Sequence, residues 1–302
     1  MTDLIVIGGG PAGLTACLYM LRAGKSVLLI EKEAIGGQIA KSPRLENYPA
    51  IESISGMEWA DNAFSQVMGL GVKFDFGEVE SIVKREDGVF EVKYGTSTAE
   101  SRSVIIATGC EHKKLGLPGE EELSGHGVSY CATCDGAFFK DEDVAVIGDG
   151  NTAVQYAISL STICRSVTIM TLFDHFYADQ IITKRMLEAS NVKWLKEVST
   201  TAFLGDGDLT GVRYKDKGGN ENTLPCSGAF VAIGQVPSNE VFSPLVELEK
   251  GFIVVDESKQ TKTPGLFAAG DCTVKKVRQV ATAVSDGAIA AVYSAAYIDS
   301  LR

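Results

Sequence analysis

Two cysteines separated by two residues are the side chains of this sequence best suited to redox chemistry. Cys131 and Cys134 form the only Cys-x-x-Cys segment in the chain, and this spacing allows the two sulfurs to bond to each other. A helix that begins here would lower the pKa of one thiol and favour attack by its thiolate. Asp135 follows directly and can exchange a proton with the leaving thiol. The alternative role for Asp135 is a carboxylate that interacts with the helix dipole.

Metal binding is the other chemistry that a cysteine pair can support. A zinc site usually needs a second pair of Cys or His ligands at short spacing. The other five cysteines are isolated, and the three histidines, at positions 112, 126 and 175, are scattered. We therefore predict a redox dithiol and no metal site, with the other five cysteines packed as small hydrophobic side chains.

A glycine-rich turn near the N-terminus indicates dinucleotide binding. Gly8, Gly10 and Gly13 follow an apolar run and open a helical pattern, and Glu31 ends the next apolar run. In such a turn the first glycine permits the tight bend, the second lets the backbone approach a pyrophosphate, and the third packs the helix against the strand. The helix N-terminus then faces the phosphates, and the acid accepts the ribose hydroxyls.

The order of apolar and helical segments predicts an α/β protein. A second strand, glycine turn and helix recur about 140 residues after the first, which predicts two Rossmann-like, three-layer (ββα) nucleotide-binding domains. Segments 71–77, 78–86 and 89–95 predict an antiparallel meander. Residues from about 252 return to the first domain. The expected division is a discontinuous domain of residues 1–113 and 242–302, with residues 114–241 inserted as the second domain.

Composition excludes several classes of protein. The 302 residues carry 28 Lys and Arg against 39 Asp and Glu, a net charge of −11, which argues against nucleic-acid binding. Asp3 and the lack of a basic N-terminal segment argue against a signal peptide. The longest apolar stretch is broken by Ser285 and Asp286, so no membrane span is expected. Seven scattered cysteines are typical of a reducing compartment, and we expect a cytoplasmic protein.

The motifs together resemble those of the low-molecular-weight thioredoxin reductases. The resemblance covers essentially the whole chain, and its segments occur in order: GGGPAG (8–13), GGQ (36–38), ENYP (46–49), ATG (107–109), CATCD (131–135), AIGQVP (232–237), FAAGD (267–271) and RQVATAVSDG (278–287). It implies FAD on the discontinuous domain, a pyridine-nucleotide type of domain in the centre, thioredoxin as substrate, and a homodimer.

The same resemblance assigns site residues position by position. It implies that Cys134 faces the isoalloxazine ring and that Cys131 attacks the disulfide of thioredoxin, with Asp135 as acid and base. The residues expected to bind FAD are Gly8, Gly10, Pro11, Ala12, Gly13, Glu31, Lys32, Gly37, Gln38, Asn47, Thr108, Gly109, Gly270, Asp271, Arg278, Gln279 and Val280.

The second nucleotide site departs from the family pattern. The family places a His-Arg-Arg cluster and a further Arg after the second strand, where they bind the 2′-phosphate of NADPH. Here the three arginine positions are Leu172, Phe173 and Tyr177, and Asp149 lies in the turn that a pyrophosphate would approach. Each charge-assisted contact with phosphate contributes roughly 1.5–3 kcal/mol. We therefore expect affinity for NADPH to fall by several powers of ten.

This departure favours the ferredoxin-linked branch of the family, in which reduced ferredoxin supplies the electrons. Such carriers are typically acidic, so a protein of charge −11 needs a local basic surface to receive one. Lys275, Lys276 and Arg278 lie beside the expected flavin segment and are candidates for it.

Two alternatives stay open. NAD(P)H could still be the donor if Arg165, Lys184 or Arg185 replaced the missing arginines. A flavin-binding redox sensor or scaffold that does not turn over is an alternative of a different class. The intact CATCD segment favours an enzyme over that alternative.

Overall fold

The computed structural model describes residues 1–42, 45 and 47–301, and these form two compact units. One unit comprises residues 1–111 and 236–302, and the other comprises residues 112–235. Both boundaries lie slightly before the expected ones. The side-chain amide of Asn239 is fully buried and donates to the carbonyls of Gly251 and Cys272, which ties residues 236–241 to the first unit. The amide of Lys113 donates to the carbonyl of Gly234 and ties the start of the insertion to the second unit.

The first unit is built from both ends of the chain. Its N-terminal elements are β1 (Thr2–Ile7), α1 (Pro11–Arg22), β2 (Val27–Glu31), α2 (Gly56–Gly69), β3 (Lys73–Phe76), β4 (Val79–Lys84), β5 (Phe90–Tyr94), β6 (Ser97–Ile106) and the start of β7 (Glu111–His112). Its C-terminal elements are the end of β16 (Gln235–Val236), β17 (Leu248–Glu249), β18 (Phe252–Ile253), β19 (Leu266–Ala268) and α6 (Val280–Ser300).

The described strands of this unit form one main sheet in the order β3-β2-β1-β6-β5-β4, with β19 also paired to β6. All pairings are parallel among five of these strands, β1, β2, β3, β6 and β19. The expected meander is therefore wrong for segment 71–77. A strand joined to a parallel neighbour needs a crossover, and helix α2, which the sequence analysis did not predict, lies between β2 and β3. Strands β4, β5 and β6 do form an antiparallel meander.

Packing in the first unit follows from apolar strands and small helix residues. Residues 4–7 of β1 are at most 4% exposed, as expected for a strand covered on both faces. Helices α1 and α6 approach so closely that a Cβ on Gly287 would strike the carbonyl oxygen of Ala12. This close approach places Gly287 of α6 against the first turn of α1.

The second unit repeats this design. Its elements are β8 (Val128–Ser129), α3 (Ala132–Asp135), β9 (Asp143–Ile147), α4 (Asn151–Ser161), β10 (Ser166–Met170), α5 (Gln180–Leu187), β11 (Val192–Leu195), β12 (Ser199–Asp206), β13 (Asp208–Lys215), β14 (Glu221–Pro225) and β15 (Gly228–Val231). Its parallel sheet has the order β11-β10-β9-β15-β8, and β12-β13-β14 form an antiparallel layer. The predicted α/β class with two Rossmann-like domains is confirmed. Among the described helices, none combines the length and the apolarity that a bilayer crossing requires.

Candidate active site

The first glycine turn has the geometry that a dinucleotide requires. Gly8 adopts φ +107°, and a Cβ there would strike the carbonyl oxygen of Ala107 on the neighbouring strand. A Cβ on Gly13 would strike the carbonyl oxygen of Gly8. Gly10 differs, because its φ of −79° is open to any residue and a Cβ would meet only the Gly36 oxygen, at 3.8 Å. A side chain at Gly10 would therefore fill the space at the N-terminus of α1 where a phosphate would bind.

Glu31 lies at the end of β2, directly beside this turn. Its Oε2 accepts a hydrogen bond from the amide of Gly9 at 2.6 Å, and its Oε1 accepts one from the amide of Glu33 at 2.9 Å. A carboxylate has about four acceptor sites, so lone pairs remain for ribose hydroxyls. Glu31 thus fixes the turn and can still accept hydrogen bonds from ribose hydroxyls, as the sequence analysis expects.

The other expected flavin residues follow the C-terminal ends of neighbouring parallel strands. Thr108 and Gly109 follow β6, and Gly270 and Asp271 follow β19. Since β1, β2, β6 and β19 are parallel, their C-terminal ends meet at one edge of the sheet. Ligands of open α/β sheets bind at this edge.

Asp271 carries an unsatisfied buried atom at this edge. Its Oδ1 has no hydrogen-bond partner among the described residues. Burial raises the pKa of Asp271, and the cations of Lys275 and Arg278 oppose this shift. A buried polar atom without a partner is rare in a folded protein and indicates a bound group. The open space at Gly10 and the free oxygen of Asp271 both fit a dinucleotide with phosphate and hydroxyl groups.

The sequence analysis did not predict that a buried carboxylate, Asp286, would pair with two partly buried lysines. Asp286 is 6% exposed, and its two oxygens accept from Lys259 Nζ at 2.8 Å and Lys275 Nζ at 2.6 Å. Its Oδ2 also accepts from the amide of Gly270 at 3.2 Å. Burial alone would raise the pKa of Asp286, but the two ammonium groups hold it below its usual range. The three partners of Asp286 lie 11 to 27 positions away in the sequence, so no local motif predicts these contacts.

Arg278 is engaged within its own loop. Its guanidinium donates to the carbonyls of Asp271, Thr273 and Lys275 at 3.0–3.3 Å and lies 4.2 Å from the ring centre of Phe252. The ammonium group of Lys275 forms an ion pair with Asp286. Two of the three cations of the expected basic surface thus make internal contacts and are half-buried, and Lys276 is the exposed one.

The remaining expected flavin residues lie in loops and at helix starts of the first unit. Asn47 donates to the side chain of Gln279 at 3.0 Å, so two distant motifs are joined directly. Glu46 of the expected ENYP motif lies outside the described residues. Gly37 and Gln38 are exposed in a 3-10 turn, Lys32 is exposed after β2, Pro11 and Ala12 begin α1, and Val280 begins α6.

The dithiol lies at the start of a helix, as the sequence predicts. Cys131 and Cys134 form a disulfide, and Cys131 is the residue that precedes α3. The amide of Cys134 donates to Cys131 Sγ at 3.2 Å. Such a bond stabilises negative charge on the sulfur once the disulfide is reduced. This contact favours Cys131 as the attacking thiolate.

Asp135 provides an acidic group within the dithiol segment. Its Oδ2 accepts from the hydroxyl of Ser129 at 2.6 Å, and its Oδ1 is buried without a partner among the described residues. Burial raises the pKa of Asp135, and the bond from Ser129 opposes the shift. The pKa of Asp135 therefore lies closer to neutral pH than that of an ordinary carboxyl group, which makes the residue better suited to proton transfer.

The other cysteines are packed side chains. All seven cysteines lie within the described residues, and the five outside the disulfide are free and buried. Burial raises the pKa of each of these thiols, to about 12 for Cys110 and about 11 for Cys164. Thiols with such values are poor nucleophiles at neutral pH.

The second glycine turn keeps the backbone geometry but differs in its surroundings. Gly148 adopts φ +145°, and a Cβ there would strike the carbonyl oxygen of Ala232. The carbonyl of Asp149 accepts from the amide of Tyr177 at 2.8 Å. Asn151 exchanges hydrogen bonds with Asp179, at 2.7 Å to the Asp179 amide and 3.3 Å to its carboxylate. Residues 177–179 are thus bonded to the turn itself.

Uncharged side chains occupy the three positions at which the resemblance implies arginines. Leu172 is 62% exposed, Phe173 43% and Tyr177 64%. The rings of Phe173 and Tyr177 each pack against His175, with centres 5.6 and 4.7 Å away. This surface has no guanidinium with which to bind a phosphate at these three positions.

Two of the three cations proposed as substitutes make other contacts. Arg165 donates two hydrogen bonds to Asp143, at 3.0 and 2.5 Å. Asp143 is the first residue of β9, at the end of the strand opposite the glycine turn. Lys184 pairs with Glu188 at 3.9 Å, and Arg185 is exposed near the end of α5. The geometry thus excludes Arg165 as a substitute in this conformation.

Comparison with known proteins assigns the family. A family model described as pyridine nucleotide-disulphide oxidoreductase matches residues 2–287. The chain belongs to this family. It is 41% identical to the thioredoxin reductase of Treponema pallidum over 302 residues, 99% of this chain and 98% of that protein. It is 39% identical to the thioredoxin reductase of Listeria innocua over 303 residues, 99% of this chain and 95% of that protein.

A solved structure agrees with this assignment. The crystal structure of thioredoxin reductase from Streptococcus pyogenes has a TM-score of 0.95, 36% sequence identity, and 99% coverage of both chains. The resemblance to the low-molecular-weight thioredoxin reductases is confirmed. The protein is therefore an enzyme, an oxidoreductase of the thioredoxin reductase type that acts on a disulfide, and it is a flavoprotein that binds FAD.

Proposed function

We propose that this flavoenzyme reduces thioredoxin with electrons from reduced ferredoxin or a closely similar one-electron carrier, and not from NAD(P)H. The observation that carries the proposal is the second glycine turn. It contains Asp149, an acidic residue within the turn that a pyrophosphate would approach, and Leu172, Phe173 and Tyr177 stand where the resemblance implies cations. Anions near a phosphate site oppose phosphate binding, and the charge-assisted bonds that would compensate are missing.

The first unit holds FAD in this proposal. The turn of Gly8, Gly10 and Gly13 receives the pyrophosphate, Glu31 accepts the ribose hydroxyls, and the free Oδ1 of Asp271 accepts a further hydroxyl. The other expected flavin residues complete the site. FAD, when bound, supplies the chemistry that links a one-electron carrier to a two-electron disulfide couple.

Thiol–disulfide exchange in the second unit completes the reaction. In the reduced enzyme the Cys131 thiolate attacks the thioredoxin disulfide, so that a Cys131–thioredoxin bond forms and the thioredoxin S–S bond breaks. Asp135 protonates the departing sulfur and then accepts the proton of the Cys134 thiol. The Cys134 thiolate attacks Cys131 Sγ, which restores the enzyme disulfide and releases the second thioredoxin sulfur.

Cellular setting and assembly belong to the same proposal. Five free buried cysteines are compatible with a reducing cytosol, where we place the enzyme. We also propose a homodimer. Helices α1 and α2 expose Tyr19, Met57 and Met68, each at 46–53%, and subunit interfaces commonly bury apolar side chains of this kind.

NAD(P)H is the second candidate donor, and the retained glycine geometry of Gly148 favours it. Calorimetry on the oxidised FAD-loaded enzyme separates the two candidates. We expect no binding of NADPH or NADH at ~1 mM, because charge-assisted contacts worth roughly 1.5–3 kcal/mol each are absent. A variant that combines Asp149→Gly with Leu172→Arg, Phe173→Arg and Tyr177→Arg should bind NADPH measurably.

The matched control carries the three arginines and keeps Asp149. It should bind NADPH more weakly than the fourfold variant, because the carboxylate remains in the turn. Submillimolar binding of either nucleotide by the unmodified enzyme would contradict the proposed donor.

A further inference from the structure

Ser129 lies two residues before Cys131 and contacts the dithiol segment (131–135), although no sequence motif singled it out. It ends strand β8 and is 5% exposed. Its hydroxyl oxygen accepts a hydrogen bond from the amide of Cys131 at 3.1 Å. The same hydroxyl donates to Asp135 Oδ2 at 2.6 Å. One buried hydroxyl therefore connects the backbone of a redox cysteine with the neighbouring acid.

We propose that Ser129 is a positioning residue for thiol–disulfide exchange, which holds the carboxyl group of Asp135 in a fixed orientation relative to the backbone of Cys131. The inference rests on the proposed acid and base role of Asp135. Ser129 itself touches neither substrate nor flavin in this account. Its effect passes through Asp135.

The hydrogen bond from Ser129 gives the two carboxyl oxygens of Asp135 different surroundings. A hydroxyl has one donor and two acceptor sites, and Ser129 uses its donor on Oδ2 and an acceptor on the Cys131 amide. Oδ1 is buried without a partner among the described residues. The proton that Asp135 carries is therefore assigned to Oδ1, while Oδ2 stays anchored. Without Ser129 both oxygens would lack a partner, and the carboxyl group could rotate.

Ser129 also favours the ionised form of Asp135. A hydroxyl that donates to a carboxylate stabilises its charge, which opposes the effect of burial on the pKa of Asp135. During exchange Asp135 gives its proton to the departing thioredoxin sulfur and is left ionised. It then takes the proton of the Cys134 thiol and is neutral again. Ser129 stabilises the charged state between these two transfers.

The remaining titratable groups around Asp135 do not replace this function. Tyr156 of α4 faces the segment and donates to the carbonyl of Tyr130 at 3.1 Å. Burial, with a smaller contribution from the Asp135 charge, raises the pKa of Tyr156 to about 12, so the phenol stays neutral at working pH. The other titratable groups in or next to the segment are Cys131, Cys134 and Tyr130, and the hydroxyl of Tyr130 donates to Glu120 Oε1 at 3.0 Å. Among the described residues, Ser129 is the one that hydrogen-bonds to the Asp135 carboxyl group.

The experiment measures single-turnover reduction of oxidised thioredoxin by the FAD-loaded enzyme after chemical reduction, as a function of pH. This design needs no physiological donor, so it is independent of the ferredoxin proposal. For Ser129→Ala we expect a rate about tenfold lower at neutral pH, the usual value of one hydrogen bond to a charged group. We also expect the pH midpoint of the reaction to move up by about one unit. Ser129→Thr keeps the hydroxyl and should restore both values to near those of the unmodified enzyme.

Three further variants make the outcome decisive. Ser166→Ala removes a comparable serine-to-aspartate bond in the same unit, 2.7 Å from Ser166 to Asp143, and should leave rate and midpoint unchanged. If Ser129→Ala does not fold, Ser129→Val compared with the isosteric Ser129→Thr provides the same contrast. Asp135→Asn should lose about a hundredfold or more in rate together with the pH dependence.

The results distinguish two failures. An unchanged rate and midpoint in Ser129→Ala, with Asp135→Asn impaired, would overturn the role of Ser129 alone. An unimpaired Asp135→Asn would overturn the proposed role of Asp135 and the inference with it. A rate loss in Ser129→Ala without movement of the midpoint would also overturn the inference, because a merely structural defect has that signature.

Discussion

The Cys131→Ser variant should bind FAD normally and reduce no thioredoxin. A serine hydroxyl cannot form the mixed disulfide that exchange requires, so turnover should fall to the detection limit. The flavin residues lie in the first unit, whereas Cys131 precedes α3 in the second. The flavin absorbance spectrum and FAD content should therefore match those of the unmodified enzyme. Steady-state thioredoxin reduction with a chemical reductant of the flavin is the measurement.

Two companion variants sharpen this result. Cys134→Ser keeps the Cys131 thiol and should accumulate a covalent complex with thioredoxin, visible on a non-reducing gel and released by dithiothreitol. Cys164→Ala removes a buried free thiol in the same unit and should retain activity. Continued turnover by Cys131→Ser would show that Cys131 is not the attacking thiol. Trapping of thioredoxin by Cys131→Ser and not by Cys134→Ser would reverse the roles assigned to the two cysteines.

The Gly8→Ala variant should have the largest effect on flavin binding. Gly8 has φ +107°, and a Cβ would collide with the backbone carbonyl of Ala107 on the adjacent strand. Backbone strain of roughly 1–3 kcal/mol and overpacking of roughly 1–3 kcal/mol together predict a loss of about 2–6 kcal/mol in the free energy of unfolding. The turn that receives the pyrophosphate would also be displaced. FAD content after gel filtration and denaturant unfolding of the first unit test both effects.

Gly24→Ala is the matched control for this variant. Gly24 also has a positive φ, +72°, but a Cβ there would meet nothing within 4 Å. We expect a cost of about 1 kcal/mol and full retention of FAD. Equal behaviour of the two variants would show that close packing at Gly8 does not determine the flavin site.

Much of the site could be predicted from the sequence because its motifs are contiguous. The glycines at 8, 10 and 13 act through the backbone of one turn, and Cys131 and Cys134 act through one short helix. Glu31 could be placed because it ends the strand that follows the first helix. Each of these predictions needs only local geometry and the known order of a βαβ unit.

Contacts between distant residues could not be predicted in the same way. Asp286 meets Lys259 and Lys275 only after α6 packs beside the loop that follows β19. In the sequence it interrupts an apolar stretch and lies near the end of the motif 278–287, and neither feature indicates its two lysine partners. Lys275 and Arg278 look like surface cations in the sequence, but a buried carboxylate and three carbonyls bind them. The direction of β3 was missed because it depends on α2, a helix that the sequence analysis did not predict.

The source of the electrons is the central claim, and an anaerobic titration of the FAD-loaded enzyme tests it most directly. NADPH, NADH and reduced ferredoxin are added separately while the absorbance of oxidised flavin is recorded. We expect reduced ferredoxin to bleach the flavin and neither nucleotide to do so at submillimolar concentration. Rapid bleaching by NADPH or NADH at such concentrations, with no response to reduced ferredoxin, would contradict it.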